Sequence, residues 1–505
     1  MFYSKKLLLK KLKTYRLSYT SFSSGMNSEV DENLLPLKQG RLVYNYTVKN
    51  GALKNGLGFS PASFPKGYDD LVERTILSLP EDISITALWH FKYFDTNDFK
   101  IKHKIVFSTS TQKIYFFQTI SSGSAIFDMF SLDDKTFEGE MLGINYHLNG
   151  DDCLIIIIPK EKKIVVFHSD DSAEIIENAP ELVSICLHYE RLFAILEGDR
   201  KTLMFSANLD PTNWEVDSES GGFIEMHDER GSINKIVSFN DYVYVFRDYG
   251  VSRVSAYGDQ SEFSVSQLFI SSSKIYGNSV TSCGDRILFL ARDGLHAFDG
   301  YSTSKINLNI ESMLLNINNE KCASVFYNGK YYLACKLDFG DEEKIGCEDY
   351  EGGYVNNALI ELDLNSGDIN IMRGVDILNM IAVEEEQFSK LIACFNGKYH
   401  NRLGQLNHNG KVFGEVLKKE WVSPYSNLGY PNQLKIVKEI LIKTKGECLV
   451  KIKSDIEEKE YKISGKNTTQ RVLTNVRGEL IQISFVSNDS FDVEISSPEI
   501  IVGVV

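Results

Sequence analysis

Through much of this chain, apolar residues gather into short dense runs instead of alternating with polar ones. Cys153–Ile158 reads CLIIII and Ile287–Leu290 reads ILFL. Runs of that length, bounded by turn residues, fit strands buried on both faces. They come in pairs or triplets separated by Gly, Asn and Asp, the residues that tolerate the positive-φ positions of tight turns.

Seven candidate leading strands recur. They begin at Ile85 (ITALWHFKYF), Met141 (MLGINYHL), Leu182 (LVSICLHYERLFAIL), Ile233 (INKIVSFNDYVYVF), Ser279 (SVTSCGDRILFLA), Cys322 (CASVFYNGKYYLAC) and Ile377 (ILNMIAVEEEQFSKLIACF). The steps between them, 41 to 56 residues, suit the roughly 40–50 residues of a four-stranded propeller blade. The units also share an internal order. Phe239–Phe246 and Gly284–Leu290 each run from a turn into a strand. Each then continues through Arg-Asp-Tyr-Gly or Arg-Asp-Gly into a third strand, Val251–Ser255 or Leu295–Phe298. Asn328-Gly329 suits a type I′ hairpin, whose two central residues both need positive φ.

A radial array accounts for the dense runs, because each blade packs both faces on its neighbours and closure leaves few edges. The expected fold is all-β: a β-propeller of about seven blades plus a small C-terminal β-sandwich. Six or eight blades also fit the spacing. An early strand, Leu42–Val48 or Ala52–Phe59, is expected to complete the seventh blade and close the ring.

From about Gly404 the texture changes. Strand-like runs at Lys435–Thr444, Glu447–Ile452, Glu460–Ile463, Leu480–Ser487 and Phe491–Ser496 predict a sandwich of roughly 85 residues. Turns are expected at Lys445-Gly446, Ser464-Gly465 and Ser487-Asn488-Asp489. The first 40 residues have little periodicity. They read as an extended arm, either threading along a partner subunit or wrapping loosely over the propeller. The expected division is 1–40 arm, 41–415 propeller and 416–505 sandwich.

Composition agrees with strands: 25 Tyr and 30 Phe stand against 10 Pro in 505 residues. The charge of −15, from 69 acidic and 54 basic residues, disfavours a protein that grips phosphate. Its ordinary meaning is solubility; an acidic wall also lets a polyanion slide past. The eight cysteines (Cys153, Cys186, Cys283, Cys322, Cys335, Cys347, Cys394 and Cys448) form no CxxC and no His/Cys cluster. Reduced, mostly buried thiols made in a cytosol are expected, with neither zinc nor a disulfide scaffold. The basic start, MFYSKKLLLKKLKTYR, has only Leu7–Leu9 as an apolar run, too short for a secretory signal, and reads as a flexible or docking arm. No run of about 18 apolar residues exists, so no membrane span is expected.

Catalytic constellations are missing from the sequence. There is no GxGxxG, no GxxxxGK[ST], no GxSxG and no HExxH. His90, His147, His188 and His296 fall in or beside predicted strands and are expected to be hydrogen-bonded there. Carboxylate groups such as Asp133/Asp134 and Glu384-Glu385-Glu386 read as acidic surface loops. Ser206–Trp214 (SANLDPTNW) is similar to the "Asp box" turn of sialidase propellers but lacks its Gly. Asp210 is expected to accept backbone N–H bonds while Trp214 packs below. Leu362–Asp368 (LDLNSGD) reads as a blade hairpin of the LDxxTG kind. No catalytic residue, metal or cofactor is expected.

One set of motifs resembles a family. Glu190-Arg191-Leu192-Phe193, Met204-Phe205-Ser206-Ala207 and Asp210-Pro211-Thr212-Asn213-Trp214 resemble a recurrent "RLFYS…DPTNW" stretch, followed here by Gly221-Gly222-Phe223-Ile224. Tyr242–Phe246 with Gly250–Arg253 is similar to "LYVF…GIYR", and Phe289–Gly300 to "FLARDGLYAFDG", with His296 in place of an aromatic. The opening from FSSGMN to NGLGF is also similar. These resemble the β-propeller tail proteins of tailed phages and prophages, including the packaged-DNA-stabilisation and tail nozzle or hub class, over roughly residues 20–300. The resemblance implies a structural virion protein, not an enzyme, made in the host bacterial cytoplasm. It would form a ring of identical subunits, often six, on the DNA exit path. Its expected partners are copies of itself, other tail or connector proteins, and passing double-stranded DNA that it does not bind by sequence. The alternative is a glycan-binding or glycan-degrading propeller for host receptor recognition. A WD-repeat scaffold fits less well, since Trp-Asp endings and Gly-His starts are absent.

Overall fold

A computed structural model describes residues 13–18, 22, 25–65, 73–75, 79–97, 99–119, 125–129, 135–217, 220–315, 317–340, 354–384, 389–488 and 492–504. The start of the basic arm (1–12), Asp133/Asp134, Cys347, Glu385-Glu386 and Phe491 lie outside them. The described chain is all-β, with only short 3-10 turns between strands. Seven sheets, antiparallel apart from one parallel pairing in the last, begin with Ile85–Asp95, Leu142–Leu148, Leu182–His188, Ile233–Phe239, Thr281–Ser282, Ala323–Tyr327 and Ile377–Glu384. In the first six, four strands follow one another outward in chain order. Each leading strand touches the next, and Ile377–Glu384 touches Ile85–Asp95. The circle is therefore complete, and the protein contains a seven-bladed propeller. All seven expected leading strands are where the repeat spacing put them. The Asn328-Gly329 hairpin has φ of 50° and 74°, the left-handed pair that a type I′ turn demands.

Ring closure joins distant parts of the chain. The seventh blade takes Ile377–Glu384, Ser389–Phe395 and Leu403–Asn407 from one side of the chain and Gly58–Pro61 from the other. Gly404 pairs with Pro61, and Asn407 with Gly58. An early strand does close the ring, but only the tail of the expected Ala52–Phe59 segment takes part. Leu42–Tyr44, Tyr46–Lys49 and Ala52–Asn55 pair into the C-terminal sheet instead, so sheet membership does not follow the expected boundary at residue 41. At Asn45, between the first two of these strands, φ is +59° and the chain is tied to the propeller. The buried Asn45 side chain donates to the carbonyls of Arg373 (2.8 Å) and Lys418 (2.7 Å) and accepts from the Arg373 amide at 2.8 Å.

The second sheet is built on one long hairpin, Lys435–Ser454 against Glu458–Gly478. The turns expected at Lys445-Gly446 and Ser464-Gly465 are bends inside continuous strands. Gly446 takes φ of +82° and the register slips between Thr444 and Lys445. The first half of Lys435–Ser454 pairs with Glu494–Val504 and the second half with Ile481–Ser487. The sheet thus curls onto itself, barrel-like and compatible with the expected sandwich. Phe22, Trp421, Ile440, Val450 and Phe485 fill its interior. Lys13–Ser18, expected to be part of an extended arm, is instead a strand of this sheet, paired with Glu499–Val504 of the same chain.

Candidate functional site

The sixth blade places a polar row inside an apolar stack. Tyr332 lies opposite Glu361 on the next strand, and Glu361 lies opposite Asn370 on the outer strand. Cross-strand partners share a face, so the three side chains form a line. Lys330, two residues before Tyr332, falls on the same face. The turn after Leu403–Asn407 of the seventh blade adds His408. The Glu361 carboxylate is 1% exposed. It accepts from Tyr332 Oη at 2.7 Å and Asn370 Nδ2 at 2.8 Å, with His408 Nε2 at 3.3 Å and Lys330 Nζ at 3.2 Å.

Burial alone would raise the Glu361 carboxyl. The hydrogen bonds from His408 and Tyr332 and the charge of Lys330 outweigh it and hold the group at about 2. Tyr332 moves the other way: burial and then the Glu361 charge raise its hydroxyl above the usual phenol range. The pair stays carboxylate and phenol at neutral pH. A general acid or base works best with a pKa near the working pH, and both groups are far from it. This constellation joins the sixth and seventh blades.

A cleft of about 1000 Å³ opens above the row, between the sixth blade and the second sheet. Lys330, Glu361, Asp368 and Asn370 line one wall, and Lys49, Lys54, Asp492 and Glu494 the other. Four charges on the second wall are paired: Lys54 with Glu494 at 3.3 Å and Lys445 with Asp492 at 3.4 Å. A strap, residues 25–41, spans the junction. Ser28 N–H donates to Asn309 O at 2.8 Å, and the Glu29 carboxylate accepts from Ser312 N–H at 2.6 Å. Glu32 accepts from Tyr425 N–H at 2.8 Å and pairs with Arg41 at 3.3 Å.

The residues singled out from the sequence do not converge. His90 meets His103 at 2.8 Å, His147 meets Asp152 at 2.9 Å, His188 meets Ser238 at 2.9 Å and His296 meets Asp293 at 3.2 Å. All four lie in strands with hydrogen-bond partners; only His188 is fully buried. Asp210 accepts from the Thr212 amide at 3.0 Å, and the buried Trp214 donates to Pro211 O at 3.0 Å, the turn expected there. Leu362–Asp368 spans the hairpin between the blade's third and outer strands, and Asp363 caps it by accepting from the Asn365 and Ser366 amides. Glu384 accepts from the Asn328 amide. The seven described cysteines are free and buried. Burial pushes Cys153, Cys186, Cys283, Cys322, Cys394 and Cys448 up to about 12, so they are poor nucleophiles. Among the described residues no group of three or more His, Cys, Asp or Glu is arranged to hold a metal, and no helix is long and apolar enough to cross a membrane. Sequence reasoning passed over Glu361. Its signal was a lone acid inside the apolar run Ala358–Leu362, next to a recognised hairpin.

No family description matches the chain, and no curated protein matches it. Solved structures with similar backbones include a streptogramin B lyase, at 12% identity over 70% of this chain and 98% of that one, with a TM-score of 0.41. Virginiamycin B lyase from Staphylococcus aureus is similar at 10% identity over 66% and 97%, with a TM-score of 0.40. The extracellular domain of a hybrid two component system from B. thetaiotaomicron gives 11% identity over 89% and 61%, with a TM-score of 0.41. Likenesses this distant carry no statement about chemistry.

Proposed function

We propose that this chain is a structural virion protein of a tailed phage, working by assembly in the tail or head–tail DNA exit path. The observation that carries the reading is the motif series from Glu190 to Ile224. It spans three successive strands of the third blade, Arg191–Leu196, Thr202–Phe205 and Gly222–Glu225, with the Asp210–Trp214 turn between the last two. The series continues through the fourth and fifth blades. The net acidity supports a wall that passes DNA without gripping it.

In this reading the second sheet is the docking part. Its strand Glu458–Gly478 pairs on one side with Lys435–Ser454, and among the described residues no other strand pairs with it. A free edge of that length is a ready contact for another chain. A closed ring whose stable interfaces each bury more than about 1,000 Å² is the expected assembly. Native mass spectrometry and negative-stain imaging of the purified chain test it. A closed oligomer with rotational symmetry is the expected result. A strict monomer at high micromolar concentration, absent from purified virions, defeats the reading. Turnover of a host polysaccharide would favour the glycan-active alternative.

A further inference from the structure

In blades two to six the turns joining first to second and third to fourth strands lie at the same end of the propeller, since the four strands are antiparallel and in chain order. Over blades three to five that end is rich in tyrosine. Tyr189 lies in the first turn of blade three and Tyr242 begins the second strand of blade four. Tyr257 lies in the last turn of blade four and Tyr301 in the last turn of blade five. Tyr257 and Tyr301 are 72% and 70% exposed, and Tyr189 is 44% exposed. The groups are contiguous. Tyr189 and Tyr257 meet edge to face at 5.4 Å. Arg253 lies 4.4 Å from the centre of the Tyr242 ring and 5.5 Å from that of Tyr301. Burial and then the charge of Asp241, the residue before Tyr242, raise the Tyr189 hydroxyl above its ordinary value.

We propose that this belt binds an uncharged polysaccharide. Large aromatic surface left in water marks a contact site. Here the rings alternate with charge: Arg253 stands between Tyr242 and Tyr301, while Tyr189 and Tyr257 meet directly within reach of the Asp241 charge. That spacing suits a chain of hexopyranose rings, whose C–H faces stack on aromatic faces while their hydroxyls bond to carboxylate and guanidinium. Charge selects against the other stacking polymer, single-stranded nucleic acid, which needs a basic groove. Glu190, Asp241 and Asp259 outnumber Arg253 and Arg191, and Arg191 is spent on the carbonyls of Ser206 and Ser220. Tyr249, 42% exposed, sits in a turn at the opposite end and serves as a control. The proposal does not depend on ring assembly.

The test is affinity electrophoresis of the full chain in native gels containing dextran, galactomannan or hydroxyethyl cellulose. At least one polymer should retard the wild type. Tyr257→Ala/Tyr301→Ala should raise the apparent Kd at least tenfold, and Tyr249→Ala should leave it unchanged. The single variant Tyr301→Ala should show part of the loss, and circular dichroism should show all variants folded. Four outcomes overturn the proposal. They are no retardation by any of the three polymers, equal retardation of the double variant, binding of oligo(dT) in place of the glycans, or an oligomeric mass that the double variant lowers without any glycan binding.

Discussion

In the second blade, Cys153 through Ile158 are all buried, and neighbours along the strand look opposite ways. Leu154, Ile156 and Ile158 pack with Trp89 and Phe91 of the first blade, while Cys153, Ile155 and Ile157 pack with Leu192 and Ala194 of the third. In Lys435–Ser454 of the second sheet, buried Ile440, Ile442 and Thr444 alternate with Leu441, Lys443 and Lys445, which are exposed or half-buried. Both are antiparallel strands with the same local geometry. A blade lies between two neighbours and has no outside face; a sheet curled on itself has one inside and one outside. Burial pattern therefore reports what surrounds a sheet.

The largest effect that would break this contrast is on adjacent residues. Ile155→Ala and Ile156→Ala should each cost about 2–5 kcal/mol, since both leave cavities, as should Ile442→Ala in the second sheet. Denaturant midpoints with unchanged m-values check this; one near-neutral isoleucine of the blade pair would show that the blade has a free face.

Glu361 tests the place where the two regions meet. Its carboxyl is held at about 2 against an ordinary 4.5. A lowered folded value adds stability that is complete above the ordinary value and is lost as pH falls through about 2. The shift corresponds to roughly 3 kcal/mol. Glu361→Gln should flatten the acid limb between about pH 4.5 and 2 in urea titrations, and superimposable limbs would refute the role.

Smaller still, Glu32→Ala removes the acceptor for the Tyr425 amide and the partner of Arg41. About 1 kcal/mol is expected, seen as faster limited proteolysis between propeller and second sheet with the propeller core unchanged. Last, Lys443→Ala should change stability by no more than about 0.5 kcal/mol. A loss near that of Ile442→Ala would mean that the outer face of the second sheet is covered.

Much of the propeller was legible in the sequence. The apolar runs and Asn/Gly turns located seven leading strands, because dense burial and positive φ leave local marks such as CLIIII and Asn328-Gly329. The second sheet was less legible. Lys445-Gly446 and Ser464-Gly465 look like hairpin turns, yet their strands run on, because pairing on the neighbouring strand holds the backbone extended through a bend. The Glu361 row was missed since its members lie on three strands and in the turn after Asn407, and each alone looks like an ordinary strand or loop residue.

What the sequence determined by itself is everything encoded within one blade's length: strand, turn, repeat, and burial on both faces. Tertiary structure decided the partners. It sent Gly58–Pro61 to the seventh blade and Leu42–Asn55 to the second sheet, and it set Asn45 against Arg373 across 328 residues. A side chain's alternation along a strand is a local property of the backbone, whereas the choice of neighbour depends on contacts between segments that only the closed ring and the curled sheet bring together.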